Sequence, residues 1–248
     1  MPCVIFDLDG VLVDSYDAHF ESWRAVAAEE GVTLTEAEFA RSFGRTSREI
    51  IRATWPVAEI DDAAITDIDT RKEEAFRRII SKDFPLMDGA RELIADLRSA
   101  GFRLAIGSSA PPENIALALE KLGSPRTHPV ERLRGHAAVA GVPPEAETGA
   151  LFDGVVNGMD VTRGKPDPEV FLLAASRAGV RPLSCVVIED ARYGVEAAIR
   201  AGMASVAFVS TGRHEEDFRG LEPNLMIRSL RELSPGILRA LIAQRGRE

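Results

Sequence analysis

Short apolar segments alternate with amphipathic helical stretches along most of the chain, and this alternation constrains the fold more than any other feature. Five segments predict buried strands: CVIF at 3–6, RLAIG at 103–107, GVVNG at 154–158, CVVIED at 185–190 and SVAFVS at 205–210. Strands that alternate with helices pair in parallel, because each helix returns the chain to the start of the next strand. The sequence therefore predicts an α/β fold with a doubly wound parallel sheet.

The helical stretches between these strands have recognisable ends. Asp88 is a candidate N-cap for the stretch that ends at Gly101, since its side chain can accept a hydrogen bond from the first turn. Two further helices open with Pro and Glu and are predicted to end at Gly123 and Gly179.

Residues 16–85 break the alternation, because they contain four helical patterns and no convincing strand. We expect them to form a second, smaller, all-helical cap domain with hinges near Ser15 and Pro85. The catalytic core would then consist of residues 1–15 and 86–248.

Residues 124–150 form a Pro- and Gly-rich insertion between a helix and the next strand. Connections in such folds usually take about 2–6 residues, so this segment is not an ordinary turn. A surface or oligomer-contact role is the preferred interpretation, with a disordered excursion as the alternative. We expect a monomer or a weak homodimer.

Composition excludes several classes of partner. The 248-residue chain has 30 Lys and Arg against 39 Asp and Glu, a net charge of −9, which disfavours nucleic acid and anionic membranes. No apolar run approaches the roughly 20 residues that span a bilayer. The two cysteines, Cys3 and Cys185, lie in apolar runs and are expected in the core, which suits a reducing cytoplasm.

Asp7 and Asp9 directly follow the first predicted strand and are followed by Gly10. In open α/β sheets, ligands bind outside the carboxyl ends of the strands, so two acids at this position indicate chemistry. The alternative is an acidic turn that caps the next helix, because Asp and Gly both favour turns.

Polar residues recur after other predicted strands. Ser108 and Ser109 follow the second strand, Lys165 precedes a helix, and Glu189 and Asp190 end another strand. Each has an ordinary explanation as a helix cap, a solvated charge or a polar strand end. Their joint occurrence at one sheet edge favours a common site.

Together the motifs DLDGVLVDS, IGSSA, GKPDP and IEDARYG resemble those of the haloacid dehalogenase superfamily, over most of the chain apart from the 124–150 insertion. Within that superfamily the pattern is similar to the β-phosphoglucomutase-like branch, which includes mutases and phosphatases with a helical cap.

The resemblance implies roles for the residues that match its motifs. The catalytic and metal-binding set would be Asp7 as nucleophile and metal ligand, Asp9 as general acid/base and metal ligand, Ser108 and Lys165 as phosphate binders, and Asp190 with Glu189 at the metal. Gly10 and Ser109 would contact the substrate.

The chemistry of these residue types agrees with that assignment. A phosphoryl group repels a carboxylate nucleophile unless a divalent cation bridges them, and Mg²⁺ prefers carboxylate, carbonyl and water oxygens. Asp9 would protonate the departing oxygen and later deprotonate the attacking water. Dehalogenases lack this second aspartate, so its presence favours phosphoryl transfer.

The cap contains further candidates. His19 and Trp23 share a helix face, and packing inside the cap is the stronger interpretation for the tryptophan. Arg45 and Arg48 are either cations that reach the substrate or solvated helix ends. The resemblance implies that His19, Arg45 and Arg48 bind substrate.

A second cap helix contains Arg71 and Lys72, for which a solvated face is the simpler interpretation. The resemblance implies instead that Lys72 binds substrate. The chain departs from the usual mutase pattern at Glu73, where an asparagine would follow the lysine.

The leading functional hypothesis is a Mg²⁺-dependent phosphatase that hydrolyses a small phosphorylated metabolite, such as a sugar phosphate, through an aspartyl-phosphate intermediate. A β-phosphoglucomutase-like sugar-phosphate mutase is the first alternative. A non-catalytic binding or regulatory module that retains the fold is the second.

Overall fold

The computed structural model describes residues 1–43, 47–55, 60–123 and 151–245. It divides the chain into two compact units, Met1–Asp14 with Leu86–Glu248 and Ser15–Pro85. The predicted insertion at 124–150 lies outside the described residues.

The first unit contains a parallel sheet, as predicted. Its strands in chain order are β1 (Cys3–Phe6), β2 (Arg103–Gly107), β3 (Gly154–Val156), β4 (Cys185–Glu189), β5 (Ala204–Phe208) and β6 (Leu225–Ile227). The spatial order is β3-β2-β1-β4-β5-β6, with every pairing parallel. The predicted fold class is confirmed, and β6 extends the five predicted strands at one edge.

Strand β1 occupies the centre of this sheet. Cys3 pairs in register with Arg103 on one side and Cys185 on the other, and all four β1 residues are fully buried. The strand order reverses between β1 and β4, and ligands of doubly wound folds bind at that switch point, beyond the carboxyl ends of the strands.

Helices cover the sheet. They are α5 (Ala90–Ser99), α6 (Pro112–Leu122), α7 (Glu169–Arg177), α8 (Arg192–Arg200) and α9 (Pro235–Arg245). The predicted stops at Gly101, Gly123 and Gly179 are confirmed, since each has the positive φ of a left-handed residue that ends a helix.

The predicted N-cap at Asp88 is wrong. Gly89, with φ 82°, takes the N-cap position, and α5 begins at Ala90. The Asp88 carboxylate instead accepts two hydrogen bonds from Arg231, at 2.8 Å from Nε and 2.6 Å from Nη2. A two-point ion pair with a distant arginine has replaced the local cap.

The second unit is helical throughout its regular structure, as predicted. Its helices are α1 (Tyr16–Glu29), α2 (Glu36–Ser42), α3 (Ser47–Thr54) and α4 (Asp62–Ile80). Their apolar faces share a core in which Trp23, Phe39 and Trp55 are buried, so the predicted packing of Trp23 is confirmed. Thr35 and Glu38 form a reciprocal capping box at the start of α2.

Both cysteines are buried free thiols in neighbouring strands of the core, as expected from their apolar surroundings. Across the described ranges, no helix is both long enough and apolar enough to cross a membrane.

Candidate active site

Asp7 lies at the centre of the candidate site, immediately after β1 at the switch point. Its backbone N–H donates to Ile188 O at 3.0 Å, which continues the β1–β4 ladder and places the side chain beside the end of β4. Lys165 Nζ donates to Asp7 Oδ1 at 2.7 Å and to Glu189 Oε1 at 2.6 Å. One lysine, whose side chain is only 10% exposed, therefore links the ends of β1 and β4.

Burial and neighbouring charges shift the pKa values of this group. Burial raises the pKa of Asp7 to about 8, although the positive charge of Lys165 opposes the shift. Burial alone would lower the pKa of Lys165, but the charges of Asp7 and Glu189 outweigh it and hold that pKa above its ordinary value. Lys165 is therefore a permanently charged partner for the carboxylates.

Glu189 is held on both of its oxygens. Lys165 Nζ donates to Oε1, and the backbone N–H of Ala191 donates to Oε2 at 2.6 Å. The side chain packs against Gly194 in the first turn of α8, where an added Cβ would lie 1.8 Å from Oε1. The glycine leaves room for a carboxylate that positions the lysine.

Asp190 is held by two donors from the loop after β5. Ser210 Oγ and Arg213 Nε each donate to Asp190 Oδ2 at 3.0 Å. Burial raises the pKa of Asp190 above its ordinary value, and the positive charge of Arg213 opposes that shift. The arginine thus partly offsets the cost of burying this acid.

The acids of this site fit a divalent cation. Asp7, Glu189 and Asp190 are all buried, and each offers a carboxylate oxygen within 4.8 Å of the others. Carboxylate oxygens are the hard ligands that Mg²⁺ prefers, and Lys165 and Arg213 bring two positive charges to three converging carboxylates, so a further cation among them is electrostatically favourable. The donor set therefore suits Mg²⁺.

Asp9 and Gly10 form the turn that follows Asp7. Asp9 is half-buried, and Gly10, with φ 75°, donates from its backbone N–H to Val13 O at 2.8 Å. This tight turn keeps Asp9 at the same sheet edge as Asp7.

Ser108 and Ser109 follow β2, the other neighbour of β1. Ser108 is buried, and its Oγ accepts a hydrogen bond from Ala110 N at 3.1 Å, whereas Ser109 is exposed. Gly158 approaches so closely that an added Cβ would lie 2.4 Å from Ser109 O. The loops after β2 and β3 are thereby packed together.

The predicted solvated face at Lys72 is wrong. The side chain is only 4% exposed, and Nζ lies 3.0 Å from His19 Nδ1 and donates to Glu73 Oε1 at 2.6 Å. Phe76 stacks on the His19 ring, with centroids 4.1 Å apart. Packing of α4 against α1 has buried a lysine that the charge pattern placed in solvent.

Arg71 and Arg48, the other described cationic residues of the cap motifs, lie at the surface of the helical unit. Arg71 forms ion pairs with Glu29, Glu30 and Asp67, and its side chain remains partly exposed. Arg48 is exposed and donates to the Asp62 carboxylate at the start of α4. Arg45 lies outside the described residues.

Comparison with known proteins decides the family. A family model described as haloacid dehalogenase-like hydrolase matches residues 1–202. The chain belongs to this family. The resemblance inferred from the sequence motifs is therefore confirmed.

Curated relatives of this hydrolase cover most of its length. It is 33% identical over 206 residues to the phosphorylated carbohydrates phosphatase of Thermotoga maritima, covering 83% of this chain and 84% of that protein. It is 28% identical over 212 residues to the beta-phosphoglucomutase of Bacillus subtilis, covering 83% and 82%. The predicted enzyme class, a hydrolase of the phosphatase type, agrees with the names of such relatives.

A solved structure shows the same fold. The beta-phosphoglucomutase of Clostridium difficile aligns over 100% of both chains with a TM-score of 0.78 and 21% identity. At that identity the likeness concerns the fold.

Three residues of the hydrolase site escaped the sequence analysis: Gly194, Ser210 and Arg213. Ser210 and Arg213 follow β5, as Asp7 follows β1, so the polar strand-end signal could have found them. Gly194 can be recognised as part of the site only from the structure, which places the Glu189 carboxylate against it.

Proposed function

We propose that this hydrolase is a Mg²⁺-dependent phosphatase that acts on a small phosphorylated carbohydrate. The observation that carries the proposal is the contact of Lys165 with Asp7, largely shielded from solvent, beside the carboxylates of Glu189 and Asp190. The names of the Thermotoga maritima and Bacillus subtilis relatives support the carbohydrate class.

In the proposed reaction, Asp7 attacks phosphorus and forms an aspartyl-phosphate, which water then hydrolyses. Bound Mg²⁺, held by Asp7, Asp190 and the backbone carbonyl of Asp9, would supply charge neutralisation between the carboxylate and the phosphoryl oxygens. Asp9 protonates the leaving oxygen in the first step and accepts a proton from water in the second.

Lys165 and Ser108 bind the phosphoryl oxygens in this proposal. Lys165 is kept in place by Glu189, so its ammonium is positioned before the substrate arrives. The Ser108 hydroxyl donates to an oxygen that gains charge in the transition state. Gly10 and Ser109 line the same strand-end loops.

We propose that the helical unit Ser15–Pro85 acts as the cap and contributes selectivity for the leaving group. His19, Lys72 and Arg48 are its candidate substrate-binding residues, together with Arg45. The first test is a panel of sugar phosphates and a generic aryl phosphate, assayed for inorganic phosphate with and without Mg²⁺. We expect Mg²⁺-dependent release from both. A folded protein that releases none from any compound would contradict the proposal.

The mutase alternative is tested with β-glucose 1-phosphate. A mutase has to bind two phosphates, and Lys72 is already paired with Glu73, which reduces the positive charge available for the second. We therefore expect free phosphate as the main product, and mainly glucose 6-phosphate would instead identify a mutase.

A further inference from the structure

The two carboxylate oxygens of Asp190 have different surroundings. Oδ2 accepts hydrogen bonds from Ser210 Oγ and Arg213 Nε, each at 3.0 Å. Both donors are largely shielded from solvent, since Ser210 is 8% exposed and the Arg213 side chain 9%. These donors therefore compete little with solvent and fix one oxygen of the acid.

Gly10 covers the same oxygen from another side. A Cβ added to Gly10 would lie 2.1 Å from Asp190 Oδ2 but 3.1 Å from Oδ1. Two hydrogen bonds and this backbone contact enclose Oδ2. Oδ1 is the oxygen that Asp190 can offer to a cation.

The loop that supplies the donors is itself fixed. Arg213 N donates to Ser210 O at 3.0 Å, which closes a turn after β5. Between them, Thr211 Oγ1 donates to Asp14 Oδ2 at 3.0 Å. Asp14, the third acid of the first motif, thus anchors the loop that carries the two donors.

We propose that Ser210 and Arg213 are positioning residues that restrict Asp190 to one-oxygen ligation and thereby favour Mg²⁺ over Ca²⁺ at this site. The inference rests on the proposed function, since it concerns the cation of that reaction. Mg²⁺ takes about six ligands in a near-ideal octahedron, whereas Ca²⁺ takes about 6–8 and accepts both oxygens of one carboxylate. Enclosing Oδ2 removes the two-oxygen mode that Ca²⁺ exploits.

A purely structural role makes a different prediction. If the donors only compensated the buried charge of Asp190, their loss would lower the stability of the protein and weaken the binding of Mg²⁺ and Ca²⁺ equally. Removal of the Arg213 charge also changes the attraction of either divalent cation by a similar amount, so that effect cancels in the ratio of the two affinities. The ratio of the Mg²⁺ and Ca²⁺ dissociation constants therefore isolates the positioning role.

The experiment measures that ratio by isothermal titration of the full chain with MgCl₂ and, separately, with CaCl₂. For Arg213→Met we expect the affinity for Mg²⁺ relative to that for Ca²⁺ to fall by about 10-fold or more, in line with other residues that orient metal ligands. Ser210→Ala removes one donor and should shift the ratio in the same direction by less than about tenfold. Arg213→Lys retains a cationic donor and should lie between the parent and Arg213→Met.

Matched controls separate positioning from general damage. Arg228→Met removes an exposed arginine paired with Glu215, and Ser205→Ala removes a buried hydroxyl for which the described residues provide no hydrogen-bond partner. Both should leave the ratio unchanged. Circular dichroism of each variant checks folding, and Ser210→Ala carries the test if Arg213→Met fails to fold.

The outcomes are distinguishable. An unchanged ratio in folded Arg213→Met and Ser210→Ala, or an unchanged ratio in Ser210→Ala alone where Arg213→Met does not fold, overturns the inference, while phosphate release by the parent with Mg²⁺ leaves the proposed function standing. A folded parent that binds no Mg²⁺ overturns both. A ratio that shifts toward Ca²⁺ in the two variants and in neither control supports the inference.

Discussion

The core and the helical unit each bury a lysine against an acid, but the sequence predicted the surroundings of only one of them. Lys165 contacts Asp7 and Glu189, which end β1 and β4. Lys72 contacts His19 and Glu73, which lie on α1 and α4.

The difference lies in how each type of structure places a side chain. Neighbouring parallel strands in register bring their carboxyl ends to one edge, so Asp7 and Glu189 meet wherever the sheet forms. A helical residue is buried or exposed according to the element that packs against its face of the helix. The sequence around Lys72 does not indicate that α1 packs there.

The largest effect is expected at the end of β1. Asp7→Asn should lower kcat for phosphate release by more than about 10⁴-fold, because it removes the proposed nucleophile while keeping the side-chain volume. Steady-state assays with an aryl phosphate, together with circular dichroism, would measure this. Activity near that of the parent would show that another residue accepts the phosphoryl group.

Mg²⁺ should stabilise the protein more at high pH than at low pH. Burial raises the pKa of Asp7 from its ordinary value of 3.8 to about 8, so the metal-free protein loses stability as pH rises between these values. A bound cation reverses this loss, because it requires the ionised carboxylate.

Thermal unfolding from pH 5 to 8, with and without Mg²⁺, measures this effect. At a fixed Mg²⁺ concentration about 100 times the dissociation constant measured at pH 8, we expect Tm to rise by about 5–10 °C near pH 8 and by less near pH 5, where the dissociation constant is larger. An increment independent of pH would contradict an Asp7 carboxyl that must lose its proton to bind the metal.

Gly194→Ala tests the packing that holds Lys165. The new Cβ would lie 1.8 Å from Glu189 Oε1, so the carboxylate has to move and the lysine loses an anchor. We expect kcat to fall by about tenfold and stability by about 1–3 kcal/mol.

Gly236→Ala is the matched control for that substitution. Gly236 lies in the first turn of α9, where the nearest atom to an added Cβ, outside the neighbouring helix backbone, is Ser234 Oγ at 3.8 Å. Kinetics and urea unfolding of both variants should separate them, and equal effects would rule out the Glu189 contact as the cause.

The smallest effect concerns two adjacent residues of α4. Lys72→Met removes the buried ammonium that contacts His19 and Glu73. It should lower the free energy of unfolding by about 1–3 kcal/mol, because these two part-buried side chains lose their hydrogen bonds to Lys72. Arg71→Met removes partly exposed ion pairs and should cost less than about 1 kcal/mol. Urea unfolding compares the two, and a larger loss for Arg71 would reverse the assignment of buried and solvated faces.

Most of the sheet could be predicted because its strands are apolar and regularly spaced. Strand β6 was missed because Leu225–Ile227 is only three residues long and two of them are half-buried, which leaves little apolar signal. The N-cap at Asp88 was wrong because Arg231, more than 140 residues away, binds that carboxylate. Local sequence carries no information about such a partner.

The central position of β1 also sets the order in which the protein can fold during synthesis. Cys3 pairs with Arg103 and Cys185, which are made 100 and 182 residues later, so β1 waits on the order of 10–40 s for its second neighbour at about 5–20 residues per second. The helical unit Ser15–Pro85 is contiguous and has no such delay. A nascent chain therefore leaves one edge of the apolar CVIF segment without its native neighbour until β4 emerges, and an unpaired strand edge is open to non-native pairing during that interval.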